Sequence, residues 1–228
     1  MYQTAAELAE MMDHTNLKAF AEKSKIKRLC EEAGRHGFAS VMVNAYRVPD
    51  CREYLYGSGV MVGTVVSFPL GATSVKAKVQ EAAVAIRAGA NEIDYVLNIG
   101  AVKDGDFGLI RREMREMTKA CHAQGAAVKV IFENCYLTKE EIRTVADIAG
   151  EIQPDFIKTS TGFGISGAAA EDVRLMKKAA GDKVAVKAAG GIRTLQSFMD
   201  MAQAGATRIG ASNSVAILEE YKAAGVQA

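Results

Sequence analysis

The chain has 228 residues, 49% hydrophobic and 24% charged, with 28 Lys and Arg against 27 Asp and Glu for a net charge of +1. That is the composition of an ordinary globular chain, and the even charge excludes the basic footprint of a nucleic-acid binder. The longest apolar runs are strand-sized, too short for a helix that spans a bilayer.

The opening MYQTAAELAEMMDHT is acidic and lacks the basic-then-apolar order of a secretory signal; it reads as a short helix. Beyond it, short apolar strands alternate with amphipathic helices. The expected strands are MMDHT (11–15), ASVMVN (39–44), VMVGTVVSF (60–68), NEIDYVLN (91–98), AAVKVIFE (126–133), PDFIKTS (154–160), KVAVKAA (183–189) and TRIGA (207–211). Between them lie helical stretches such as 74–89, where Val75, Val79, Ala82, Ala83 and Ile86 share one face. A second helical stretch spans 107–125, and its RREMRE run (111–116) reads as a solvated face. Gly37, Gly89, Gly125 and Gly205 stand where left-handed helix stops are expected.

Eight strands with intervening helices predict parallel βαβ crossovers. An open doubly wound sheet and a closed barrel both satisfy that order. The first strand is followed by no glycine fingerprint for phosphate, and a barrel typically needs about 250 residues, so the closed form is expected. No Gly/Ser-rich or Pro-rich linker interrupts the chain, and residues 1–228 are read as one domain, a (β/α)8 TIM barrel.

The four cysteines, Cys30, Cys51, Cys121 and Cys135, form no CxxC pair and no zinc spacing; reduced thiols in a cytoplasmic protein are expected. His14, His36 and His122 are scattered, and neither common nucleotide loop is present, so no metal and no cofactor is expected. His14 is expected to point outward or against a helix, since strand neighbours face opposite ways. The ten methionines are read as core gap-fillers.

Lys129, Lys158 and Lys187 follow one another at intervals of 29 residues, close to the length of one strand–helix unit. Each is embedded in an apolar strand: VKVIFE, FIKTS and VAVKAA. Lysine is seldom buried without compensation. If the last two face inward at the C-terminal mouth, desolvation and mutual repulsion lower their pKa values and leave a neutral amine able to attack a carbonyl. Spacing alone does not choose which of the two attacks. On EIDYVLN, Glu92, Asp94 and Asn98 share one face and are expected inside; Ile93, Tyr95 and Leu97 share the other. By the same parity Glu133 is expected beside Lys129, and Asp13 and Thr15 at the end of the first strand. Lys129 is read as an electrostatic partner. The small-residue loops at 160–162, 188–193 and 210–214 suit an anion held by backbone N–H groups, which points to a phosphorylated small molecule.

With those residues in view, the chain is similar to the 2-deoxyribose-5-phosphate aldolase family over residues 10–220. The motifs are DHTNLK (13–18), VVSFPLGA (65–72), GANEIDYVLNIGAVKDGDF (89–107), VKVIFENCYLT (128–138), FIKTSTGFG (156–164), VKAAGGIRT (186–194) and RIGAS (208–212). The resemblance implies a class I aldolase that reversibly cleaves 2-deoxy-D-ribose 5-phosphate to D-glyceraldehyde 3-phosphate and acetaldehyde. It places the Schiff-base lysine on Lys158, the proton-relay lysine on Lys187 and the catalytic aspartate on Asp94. It puts substrate contacts on Asp13, Thr15, Lys129 and Thr161, and the phosphate against Gly162, Gly190, Gly191, Gly210 and Ser212. It implies a homodimer or higher homo-oligomer, with no nucleic-acid or membrane partner. Departures from the family pattern are Met42 and Ala45 in the second strand, Asn213 after Ser212, and a GVQA tail without a terminal tyrosine. Two other readings of the residues are a different imine-forming or phosphate-binding barrel aldolase, transaldolase-like or acting on hexulose phosphates, and a non-catalytic sugar-phosphate sensor.

Overall fold

The structure, a computed structural model, describes residues 4–225. The reading of the tail rests on residues 226–228, which lie outside the described residues. The strands are β1 Met12–Asn16, β2 Ser40–Val43, β3 Met61–Val66, β4 Glu92–Val96, β5 Ala127–Ile131, β6 Phe156–Lys158, β7 Ala185–Ala189 and β8 Arg208–Ala211. All pair in parallel with their sequence neighbours, and β8 returns to β1 with Met12 opposite Ile209 and Asp13 opposite Gly210. The result is the closed (β/α)8 barrel that the alternation predicts. The ladders stay within the expected spans, except that β1 runs one residue further, to Asn16.

The helices are α1 Ala5–Ala9, α2 Lys23–His36, α3 Val48–Tyr54, α4 Val75–Arg87, α5 Ile99–Lys103, α6 Phe107–His122, α7 Lys139–Ile152, α8 Ala170–Ala180, α9 Leu195–Gln203 and α10 Ser214–Ala223. The expected N-terminal helix is α1, closed by reciprocal hydrogen bonds between Thr4 and Glu7. Gly37, Gly89, Gly125 and Gly205 follow α2, α4, α6 and α9 with φ of 70, 112, 72 and 109°, a region that a Cβ disfavours. Among the described residues no helix is long and apolar enough to cross a membrane.

Alternation along each strand sorts the two faces of the barrel wall. Ile93, Tyr95, Val128, Val130, Ile157, Val186, Ala188 and Ile209 point outward and join the helices in one continuous apolar layer. Inside, Leu17, Met42 and Val65 form a small apolar cluster with Phe68. Met42 fits there because Gly63 opposite it has no side chain; a Cβ at 63 would lie 2.2 Å from the Met42 sulfur. The charged side chains of the wall also point inside.

The helix layer holds an ion pair that the helical pattern conceals. The buried residues of α4 are Lys78, Ala82 and Ala85; of the expected face, Ala82 is buried and Val75, Val79, Ala83 and Ile86 are partly buried, with Val79 and Ile86 packed against the core. In α6 the RREMRE run is not wholly solvated, because Glu113 and Met114 are buried. Lys78 Nζ donates to Glu113 Oε2 at 2.8 Å and to the Val96 carbonyl at 2.7 Å, and the Asn98 N–H donates to Glu113 Oε1 at 3.2 Å. The pair ties α4 and α6 to the C-terminal end of β4. Removing one member strands a buried charge, so Glu113→Leu alone is expected to cost about 3–5 kcal/mol in urea unfolding. Adding Lys78→Met should recover most of the loss; a single variant as stable as the parent would show that the two charges are not coupled.

Candidate active site

The wall's alternation decides where the three lysines go. Val128 and Val130 flank Lys129, Val186 and Ala188 flank Lys187, and Ile157 precedes Lys158; these neighbours all lie in the outer apolar layer. The lysines therefore point into the barrel. Lys158 stands opposite Lys187 in the ladder, as their equal spacing suggests. Lys129 does not share that level: it pairs with Phe156, while Lys158 pairs with Ile131, so Lys129 lies two residues deeper. Spacing fixes the face of a residue, whereas strand stagger fixes its height.

One carboxylate receives all three amines. Asp94, fully buried on β4, holds Lys129 Nζ at 3.0 Å through Oδ1, and Lys158 Nζ at 2.8 Å and Lys187 Nζ at 2.7 Å through Oδ2. Around this centre Lys129 also reaches Glu92 at 2.6 Å, and Lys187 is paired with Asp13. Arg208 at the start of β8 closes the ring, 2.7 Å from Asp13 and 3.2 Å from Glu92, and the Ser40 hydroxyl donates to Asp13 at 2.7 Å. At formal charge the three carboxylates balance Lys129, Lys187 and Arg208. A protonated Lys158 is the surplus cation.

The electrostatics follow that count. Burial is the largest influence on Lys158 and lowers its pKa; Asp94 opposes it, the Lys187 ammonium adds to it, and the amine settles at about 8. Burial also acts to lower Lys129, but Asp94, Glu92 and Asp13 outweigh it and raise that amine above the ordinary range. Burial would raise Asp94, yet Lys129, Lys158 and Lys187 hold it well below the usual carboxylate range. Asp13 is likewise held low against burial by Lys187, Lys129 and Arg208.

Above the cluster opens a cleft of about 590 Å³ at the C-terminal ends of the strands. Lys158 lines it, together with Thr15, Thr161, Gly162, Gly190, Gly191, Gly210 and Ser212. Asp94 and Lys187, both fully buried, touch Lys158 or its partner carboxylate but do not line the cleft themselves. Asp13 and Lys129, expected as substrate contacts, are both fully buried and do not line the cleft; Lys129 Nζ lies 4.0 Å from Asp13 Oδ2. Gly210 leaves room for the interior; a Cβ there would lie 3.3 Å from Lys187 Cε and 3.2 Å from Ala189 Cβ. Gly190 and Gly191 have φ of 88 and 77°, and α10 begins beside Ser212 and Asn213, so backbone N–H groups and a helix N-terminus meet at the cleft's end. Lys18, Lys25, Arg28 and Arg193 add cations to the same cleft. Such an arrangement can hold an anion at one end and present a neutral amine at the other.

Two parity expectations fail. The Asn98 side chain caps α5 by accepting from Ala101 N–H at 3.1 Å, because the strand has already ended at Val96. Glu133 does not reach Lys129; its φ of 56° turns the chain after β5 and sends the carboxylate to Thr161. His14 behaves as expected, with Nε2 2.9 Å from Glu32 on α2 and its ring 5.1 Å from Phe38. Arg208 and Ser40 are absent from the sequence reading. Arg208 shares the parity of Gly210, which is the signal that could have found it.

The charge arrangement predicts the titration of Lys158. Its amine should titrate near pH 8 by ¹⁵N NMR, cationic below and neutral above. Lys187→Met should move the midpoint up by removing a repelling cation, and Asp94→Asn should move it down. A midpoint near 10 in the parent protein would contradict the desolvated, crowded environment described here.

The family described as DeoC/LacD family aldolase matches residues 8–225. A deoxyribose-phosphate aldolase of Aciduliprofundum boonei is 55% identical over 94% of this chain and 97% of its own length. One of Lactobacillus acidophilus is 50% identical over 97% of this chain and 94% of its own. A solved structure described as a tetrameric deoxyribose phosphate aldolase from Aeropyrum pernix superposes with a TM-score of 0.90 at 28% identity, covering 98% of this chain and 94% of that one. With all eight strands and the whole charged cluster inside the matched span, the chain belongs to the DeoC/LacD aldolase family.

Proposed function

We propose that this chain is a class I aldolase that reversibly cleaves 2-deoxy-D-ribose 5-phosphate to D-glyceraldehyde 3-phosphate and acetaldehyde. The observation that carries the reading is Lys158: the cleft reaches it, and its amine is depressed to about 8. Roughly one such amine in ten is neutral at pH 7, by the definition of a pKa. The names of the relatives supply the substrate.

Neutral Lys158 attacks the aldehyde carbon and forms a carbinolamine. Lys187, held with Lys158 on Asp94 Oδ2, delivers the proton that lets hydroxide leave as water, and ionised Asp94 orients both amines. The resulting iminium accepts the electron pair of the bond between the second and third carbons as the third-carbon hydroxyl gives its proton to Lys187, left neutral by the preceding step. Glyceraldehyde 3-phosphate departs. The enamine left on Lys158 takes a proton at its terminal carbon, and water hydrolyses the imine to acetaldehyde and free amine. The phosphate is held by backbone at Gly162, Gly190, Gly191 and Gly210 and by Ser212, with Thr15 and Thr161 beside the sugar. Asp13 and Lys129 act from below as charge partners of Lys187 and Asp94.

A homo-oligomeric, cytoplasmic enzyme is part of the same proposal. The Aeropyrum pernix relative is described as tetrameric. All four cysteines are unpaired, as suits a reducing compartment.

Borohydride reduction in the presence of acetaldehyde should leave a two-carbon adduct on Lys158, located by peptide mass mapping. Lys158→Met should abolish both adduct and cleavage. Lys187→Met and Asp94→Asn should each lower kcat by about 10²–10⁴-fold, the usual worth of a proton-transfer group. An adduct on Lys187 or Lys129 would sink the assignment. Below pH 8 trapping should rise about tenfold per pH unit, following the neutral fraction, and level off above it.

A further inference from the structure

Glu133 is a buried carboxylate with no part in the steps above. It follows β5, is 1% exposed, and occupies the left-handed region at φ 56° without being glycine. Such residues are uncommon and persist where the surroundings hold them. Here the carboxylate grips one residue twice. Its Oε1 accepts the Thr161 backbone N–H at 3.1 Å, and its Oε2 accepts the Thr161 hydroxyl in a close hydrogen bond. The loop folds tightly over it: a Cβ at Gly164 would lie 3.1 Å from Glu133 Cδ and 2.7 Å from Cys135 Sγ.

The Thr161 hydroxyl can then be counted out. A hydroxyl has one proton to donate and two lone pairs. The proton goes to Glu133. One lone pair accepts the Phe163 N–H at 3.0 Å. The lone pair left over is what Thr161 offers to the cleft that it lines. Toward a ligand this hydroxyl is an acceptor only.

We infer that Glu133 is a positioning residue that fixes Thr161 as an acceptor for the fourth-carbon hydroxyl of the sugar phosphate. The inference rests on the aldolase reading. The third-carbon oxygen changes from hydroxyl to carbonyl during cleavage, and a carbonyl facing an acceptor-only oxygen is repelled. The fourth-carbon hydroxyl remains a donor on both sides of the reaction, so its bond to Thr161 survives the whole step. In the condensation direction the same contact selects acceptor aldehydes that carry a hydroxyl next to the carbonyl, and it leaves the two-carbon donor untouched.

Glu133→Gln tests this with little change of shape. The amide oxygen can still accept the Thr161 N–H, but the amide nitrogen must donate to Thr161 Oγ1, which turns the hydroxyl proton into the cleft. D-lactaldehyde and propanal differ by the hydroxyl in question and serve as acceptors for condensation with acetaldehyde. The parent protein should favour lactaldehyde. In Glu133→Gln, kcat/KM for lactaldehyde should fall about tenfold, the worth of one ordinary hydrogen bond, mainly through KM, while propanal stays within about twofold. Thr161→Val should reproduce the loss and make Glu133→Gln silent when combined with it; Thr161→Ser should keep the preference. Borohydride trapping of acetaldehyde on Lys158 should be the same in Glu133→Gln as in the parent. An equal fall with both acceptors, or a fall in trapping, would show a general packing role and overturn the inference, as would an unaltered lactaldehyde preference. Failure of the aldolase reading itself appears separately, as no trapped adduct in the parent protein, and takes this inference with it.

Discussion

A single carboxylate receiving three ammonium groups is the interaction on which the site depends. Asp94 touches Lys129, Lys158 and Lys187, all of them shielded from water. An isolated ion in such surroundings carries a desolvation cost of several kcal/mol. Pairing offsets that cost for Lys129 and for Lys187, which have Glu92 and Asp13 as additional partners. Among the described residues, Lys158 has Asp94 and no second carboxylate within ion-pair distance. Of the three, Lys158 is the amine that lines the cleft and the one whose burial is least compensated, so position and reactivity come from the same asymmetry.

The interior is divided into two halves with different duties. On one side Leu17, Met42, Val65 and Phe68 give a dry apolar wall. On the other, carboxylates and cations from β1, β4, β5, β6, β7 and β8 form a continuous lattice. Barrels of this class are usually filled with bulky branched residues. Here part of that filling is given up for charge, and the outer apolar layer around the barrel carries the burial instead. The Lys78–Glu113 pair on the outside of β4 fixes the strand that carries Asp94, so two buried polar groups on opposite faces of one wall serve the same end.

Much of this was legible in the residues. A lysine flanked by Val, Ile or Ala in a short strand has to face the interior, and the strand–helix alternation without a linker admits few architectures. The features that escaped share a cause. Parity gives the face of a strand residue, but not its height; Lys129 sits deeper because neighbouring strands are staggered. Parity also ends with the strand, so Asn98 and Glu133 turn elsewhere, the first into a helix cap and the second through a left-handed backbone. Helical spacing reports apolar stripes, so a lysine on α4 and a glutamate on α6 look like two wet faces until the helices are placed side by side. Arg208 opens a strand next to a helix end, where a solvated guanidinium is the default expectation.

The charged lattice joins residues as far apart as Asp13 and Arg208, from the first strand and the last. No shorter stretch of the chain assembles it. In an open or incomplete polypeptide Lys158 returns to an ordinary lysine near pKa 10.4, with only about one molecule in a few thousand unprotonated at neutral pH. The depressed amine of Lys158 is thus a property of the closed ring of strands, and it exists once the last strand has met the first.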